Sequence, residues 1–311
     1  MAQPKLTGLC TDKLRLGIVG LGKMGMLHWQ TWQAIPLVDI TSVVDTDLTR
    51  EALVRAQGVP FFSKAEEIIG YVDAVVIATP AEQHLVTTEC LLAAGIHCLV
   101  EKPIAMNLAE SEHLAAIAAR HGATLAVGHS ERFNPRVRYA CAALESEIHH
   151  VEIFRMAPMG ATRDLSADVV QDLMIHDLDW IMHALNQTPC SVEILESRFV
   201  GHTLAHVRCQ LAFADRQTVC ITASRIGVEC RREVILHAAD GSIETISLYN
   251  HANNPGQDPL SLQAYAFLDA IQGRAALVGT GRDALPVMAI ADQVRIQCRT
   301  PAAASTALEG A

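Results

Sequence analysis

The sequence predicts an α/β protein: an N-terminal doubly wound parallel sheet, then a C-terminal α+β domain with a largely antiparallel sheet. Three observations carry that expectation. Up to Val127, short apolar runs alternate with helical patterns; from Ser191 to Leu248, strand-like runs follow one another closely; and Gly20-Leu-Gly22-Lys23-Met24-Gly25 stands between the first apolar run and the first helical pattern.

In the first half the apolar runs are Leu14–Val19, Leu37–Val44, Ala74–Ile77, His97–Val100 and Thr124–Val127. Near-continuous apolar strands separated by helices indicate a parallel sheet buried on both faces. The connecting helices are expected at Met24–Ala34, Leu48–Ala56, Glu82–Ala94 and Leu108–Arg120, and Gly95 suits a helix C-cap. The second half begins with a strand at His149–Arg155 and helices at Pro135–Leu144 and Val169–Leu185. Strands follow at Ser191–Phe199, Leu204–Ala214, Thr218–Ser224, Glu233–Ala238 and Ser242–Leu248, with turn-like connections such as Ala239-Asp240-Gly241. Asn250–Pro259 reads as a loop, helices at Ser261–Ile271 and Asp283–Cys298 close the fold, and Thr300–Ala311 reads as frayed. The expected division is 1–128 and 129–311. One face of the second sheet carries helices, and the other is free to pair with a second subunit, which makes a homodimer or homotetramer the expectation.

Each glycine of the loop has a physical task. Gly20 permits a tight turn, Gly22 lets backbone N–H groups approach a pyrophosphate, and Gly25 lets helix and strand pack closely. The helix N-terminus adds unpaired donors and the positive end of its dipole. Asp45, twenty residues after Gly25 at the end of the second strand, completes a Rossmann dinucleotide unit. Its carboxylate suits the ribose hydroxyls of NAD. The extra phosphate of NADP would lie against it, and two like charges about 4 Å apart repel by roughly 4 kcal/mol at an intermediate dielectric. Arg50 is the nearest cation, and its place in the following helix turns it to solvent. NAD is the expected cofactor.

The chain has 311 residues, enough for two cores, and a formal net charge of −10, which argues against nucleic acid or an anionic membrane as a general partner. Its nine cysteines are dispersed with no C-x-x-C pair, as in a reducing cytoplasm. No apolar stretch approaches a membrane span, and Met1–Lys13 lacks a signal-peptide core, so a cytoplasmic protein is expected.

Several side chains are candidates for chemistry. Lys102, in Glu101-Lys102-Pro103, follows the strand His97–Val100, and ligands of open α/β sheets bind beyond the carboxyl ends of strands. Asp172, His176 and Asp179 at i, i+4 and i+7 share a helix face opposite Met174, Leu178, Ile181 and Leu185. A carboxylate one turn from an imidazole can set its tautomer, as a general base requires. A metal reading of the Asp/His set is disfavoured, because alcohol oxidation with Lys and His needs none. His84, five residues after Thr79-Pro80, is placed either near the nicotinamide ribose or as a helix cap. Gly128–Pro135 lies at the domain crossover, where Arg132, with Arg163, has the forked donors to neutralise a diphosphate.

Together these residues resemble the Gfo/Idh/MocA family of sugar dehydrogenases. The resemblance spans nearly the whole chain through Gly20–Gly25, Ala78-Thr79-Pro80…His84, Gly95-Ile-His…Glu101-Lys102-Pro103 and Asp172…His176…Asp179. It implies cofactor contacts at Gly20, Gly22, Lys23, Met24, Gly25, Asp45, Thr79, Pro80, His84, Glu101 and Lys102, and a cis Lys102–Pro103 peptide. It also implies Lys102 touching cofactor and substrate, His176 as proton acceptor and Asp172 as its partner. Glu131-Arg132-Phe133-Asn134-Pro135, Arg163 and the Asp172–Asp179 helix look most like the nucleotide-sugar branch, including UDP-N-acetylglucosamine 3-dehydrogenases. Those make 3-keto sugars for lipid A or surface polysaccharide. The substrate side would comprise Lys102, Arg132, Asn134, Arg163, Asp172 and His176. A dehydrogenase of free inositol or another unactivated sugar is the alternative, and a non-catalytic NAD-binding sensor the second.

Overall fold

The computed structural model describes residues 13–144, 147–158, 168–214, 217–249 and 258–299. Arg163, the tail Thr300–Ala311 and most of the loop Asn250–Pro259 lie outside the described residues.

The first compact unit comprises Met1–Ile104, His113–Gly128 and Pro255–Thr280. Its elements are β1 (Leu14–Val19), α1 (Lys23–Gln33), β2 (Val38–Val44), α2 (Glu51–Arg55), β3 (Phe61–Phe62), β4 (Ala74–Ile77), α3 (His84–Ala93), β5 (His97–Val100), α4 (Leu108–His121), whose first turns group with the other unit, and β6 (Leu125–Val127). Strands β6-β5-β4-β1-β2-β3 lie side by side and all run parallel, so the chain winds outward from β1 in both directions. The strands are apolar throughout because helices cover both faces: all of Ala74–Ile77 is buried. On one face Ile18, Leu21, Trp29, Val43, Val54 and Phe61 form one core cluster.

The second unit comprises Ala105–Glu112, His129–Asn254 and Gly281–Ala311. It contains α5 (Pro135–Ala143), β7 (Ile148–Met156), α6 (Ile175–Leu185), β8 (Ser191–Val200), β9 (Thr203–Ala212), β10 (Thr218–Ser224), β11 (Arg231–Ala238) and β12 (Ile243–Ser247). After α7 (Pro259–Ile271) and β13 (Gly279–Thr280) in the first unit, α8 (Gly281–Arg299) returns to the second. The six-stranded sheet has the order β12-β11-β7-β10-β9-β8 and is antiparallel except between β7 and β10. Strand alternation sorts its faces. Val151, Ile153, Val207, Cys209, Val219, Ile221, Val234 and Leu236 are buried on one side, and Cys209 meets Met174 of the turn that leads into α6. His150, Glu152, Phe154, Glu233 and His237 are half-buried on the other.

The contiguous division at 128/129 therefore changes in two places. The 255–280 segment joins the first unit because Phe267 of α7 packs edge-on against Trp32 of α1, ring centroids 6.4 Å apart, and β13 pairs antiparallel with β6. Residues 105–112 join the second because the Leu108 N–H donates to Asp292 Oδ2, and Gln171 and Arg295 donate to the Met106 carbonyl. The two-residue strands β3 and β13 were not expected; they are too short to show a period. Among the described residues, no helix is long and apolar enough to cross a membrane.

Phe267 has no solvent exposure. Phe267→Ala is expected to cost about 3–5 kcal/mol, read from the urea midpoint of unfolding, despite lying far in sequence from the sheet it supports.

Candidate active site

In the first unit, the chain leaves β1 through Gly20, whose φ of +91° suits glycine and whose Cβ would lie 2.8 Å from the Ala78 carbonyl group. At Gly25 a Cβ would stand 1.8 Å from the Gly20 carbonyl oxygen, so the turn and α1 can approach only there. Gly22 differs: a Cβ would meet nothing within 4 Å. Its bareness serves the adjoining space. No side chain caps α1, so its first-turn N–H groups, with Lys23 and Met24 exposed around them, are the donors available to a phosphate.

That space is a cavity of about 360 Å³ lined by Gly20, Gly22, Asp45, Asp47, Arg50, Thr79 and Pro80 among others. Asp45 is fixed by two backbone donors: Leu21 N–H to Oδ2 at 2.5 Å and Asp47 N–H to Oδ1 at 2.8 Å. Each oxygen keeps a further lone pair for a ribose hydroxyl. The bare Gly22, the uncapped helix and the preset carboxylate fit a dinucleotide. Arg50 keeps a solvent-accessible side chain, as expected, while lying at the cavity's edge in the 3₁₀ turn Leu48–Arg50, 3.4 Å from Asp47.

Lys102 lies just past β5, half-buried between buried Glu101 and Pro103, and the Lys102–Pro103 peptide is cis. Two imidazoles brace this loop. His28 Nε2 lies 2.7 Å from Glu101 Oε1, and His84 places Nδ1 2.7 Å from the Pro103 carbonyl and Nε2 3.0 Å from that of Thr79. Burial pushes the His84 imidazole below its ordinary pKa despite those carbonyls. Burial also opposes the Glu101 charge, yet the His28 bond and the nearby Lys102 hold its carboxyl below the usual range. His84 and Glu101 were expected to touch the cofactor. Both His84 nitrogens and Glu101 Oε1 are engaged within the protein, where they hold the lysine loop in place.

In the second unit, Val170–Met174 form a π-turn that leads into α6. The expected helix face changes here. Asp179 has no exposure and accepts both forks of Arg132, from Nε at 2.8 Å and Nη2 at 2.6 Å. Its neighbour Asp177, also without exposure, accepts two bonds from Arg155 of β7 and one from Trp180 Nε1. Burial works against the Arg132 charge, but Asp179 holds the guanidinium above its ordinary pKa. Glu131 in turn pairs with Arg232 and lies 3.7 Å from Arg155. Asn134 is a helix cap: Oδ1 accepts the Arg136 N–H, and Nδ2 donates to Glu131 and the Leu248 carbonyl. Arg132 Nε and Nη2 and the Asn134 amide, expected to meet substrate, are engaged by carboxylate, carbonyl and N–H partners of the protein and act as buried fasteners.

From Asp168 to Met182, only Asp172 and His176 keep solvent access; every other residue is buried. Asp172 is ion-paired with Arg225, at the end of β10, a partner that sequence reasoning did not supply. His28 and Arg155 were missed as well. His28 was within reach of a pattern argument, one turn after Gly25 on the same helix; Arg155 and Arg225 carried no local signal.

The doubly wound sheet, the glycine cradle and the preset acid define a dinucleotide-binding protein. Residues 14–129 match the Gfo/Idh/MocA family, described as "Oxidoreductase family, NAD-binding Rossmann fold". Residues 14–129 thus carry that family's NAD-binding Rossmann fold, and the chain is an NAD-binding oxidoreductase. It is 28% identical to the UDP-N-acetylglucosamine 3-dehydrogenase of Acidithiobacillus ferrooxidans over 91% of this chain and 96% of that one. The solved structure of that enzyme superposes with a TM-score of 0.80 at 27% identity, covering 92% of this chain and 98% of the other. Inositol 2-dehydrogenase of Rhizobium meliloti is 25% identical over 90% of this chain and 95% of its own.

Two expectations follow. Gly22→Val leaves the unfolding temperature unchanged, because the side chain has room, but weakens NAD at least tenfold by calorimetry. Arg132→Met strands the buried Asp179 charge and costs about 3–5 kcal/mol. Arg132→Met/Asp179→Leu recovers most of that in the same denaturant titration.

Proposed function

We propose that the protein oxidises the 3-hydroxyl of a UDP-linked amino sugar such as UDP-N-acetylglucosamine to a ketone, with NAD as acceptor. The observation that carries this is the pair of open polar side chains, Asp172 and His176, in the otherwise buried stretch Asp168–Met182. The full-length similarity to the Acidithiobacillus ferrooxidans enzyme supports the sugar class.

NAD, when bound, supplies the hydride acceptor. The chain's own residues handle the other half of the reaction. His176 takes the hydroxyl proton, and the Lys102 ammonium stabilises the oxygen as negative charge grows on it. Asp172, its carboxylate held by Arg225, favours the protonated imidazole. The substrate loses a hydride and a proton together, and a carbon–oxygen double bond remains. The reading carries with it a cytoplasmic location and a homodimeric or tetrameric assembly.

One observation favours a second reading. Arg132, one of the two arginines expected to meet a diphosphate, turns Nε and Nη2 to Asp179 instead. An unactivated polyol needs neither, and inositol 2-dehydrogenase is among the relatives.

Absorbance of reduced nicotinamide, followed with UDP-N-acetylglucosamine and separately with myo-inositol, decides between the two. Lys102→Ala and His176→Ala should each lower turnover by about 10²–10⁴-fold, while NAD affinity stays within a few-fold. Wild-type turnover in either variant removes that residue from the reaction.

A further inference from the structure

We propose that the open face of the second unit's sheet binds a divalent transition-metal ion of the zinc class through His150, Glu152 and His237. One donor atom from each of the three lies within 4.8 Å of the others. The cluster stands on adjacent antiparallel strands: His150 of β7 is the direct register partner of His237 of β11, and Glu152 is two residues along β7 on the same face. Their placement is thus fixed by backbone hydrogen bonding, as a preorganised site requires.

The donor chemistry suits the ion. Two imidazoles and a carboxylate are a borderline set that zinc accepts with a fourth position for water. His237 Nε2 is already 3.1 Å from Glu152 Oε1, and the two imidazole rings are 5.3 Å apart. His150 Nδ1 lies 2.7 Å from Thr218 Oγ1 on β10. An Nδ1–H donated there leaves the lone pair on Nε2, the kind of outer contact that orients metal-bound histidines. Arg208 lies 3.8 Å from Glu152 Oε2, on the oxygen opposite the one that His237 approaches.

Bound there, the ion clips β7 to β11. The cluster belongs to a different unit from the nucleotide cradle, so it is tested apart from NAD binding.

The experiment uses the full chain, stripped with chelator and dialysed. Zn²⁺ is titrated by calorimetry against a competing chromophoric chelator, and Co²⁺ is added as a spectroscopic probe. The expected result is one tight Zn²⁺ per chain and cobalt d–d absorption in the visible. Affinity falls at least tenfold in Glu152→Gln, which keeps the side chain's shape, and the site disappears in His150→Gln/His237→Gln. Thr218→Val, which removes only the outer contact, weakens binding by about 10–100-fold. Far-UV circular dichroism and NAD affinity confirm that each variant is folded. Zinc binding that is absent in the wild type, or equal in wild type and double variant, overturns the proposal.

Discussion

Two carboxylates with no access to water, Asp177 and Asp179, govern how α6 sits in its unit. A buried carboxylate is tolerable only when paired and fully hydrogen-bonded. Each has found a forked arginine, Arg155 on β7 and Arg132 in the turn before α5. Losing either partner leaves a stranded charge, so the helix has one acceptable rotation and depth. That rotation buries Leu178, Trp180 and Ile181 and leaves Asp172 and His176 open. The placement of the open pair thus rests on ion pairs made elsewhere along the helix.

The lysine loop obeys the same logic with softer partners. Glu101 and Pro103 flank Lys102, and each is gripped by an imidazole from a helix of the same unit: His28 of α1 and His84 of α3. Because α1 also begins at the glycine cradle, the element that receives a phosphate is the one that fixes the loop beyond β5. A shift of that helix would be felt at both places.

How much of this was legible in the sequence follows from how local each signal is. The strands of the doubly wound sheet were readable because burial on both faces makes them apolar throughout, and Leu14–Val19, Ala74–Ile77 and His97–Val100 appear with the expected limits. The glycine loop and Asp45 were readable because one short segment carries the whole cradle. The pairing of Arg132 with Asp179 was not readable, because an arginine fork looks the same whether it will meet a phosphate or a carboxylate far along the chain. His84 was placed correctly on the helix that follows Thr79-Pro80, but its direction depends on carbonyls that only the folded loop brings near. The helix expected at Leu48–Ala56 begins instead with a tighter turn, which brings Arg50 to the edge of the cavity. The regrouping of α7 with the first unit had no sequence signature at all; it rests on one ring packing against Trp32 and on a two-residue strand.

The π-turn ahead of α6 makes its site unusually sensitive to chain length. Asp172 lies inside that widened turn, and His176 lies just after it. Deleting one residue from Val170–Met174 would let the segment relax into a regular helix, swinging Asp172 by about 100° around the axis. The buried carboxylates beyond it would hold the rest of the helix where it is. Single-residue insertions and deletions, usually harmless when they fall in surface connections, would at this spot spare the scaffold and separate the two open groups.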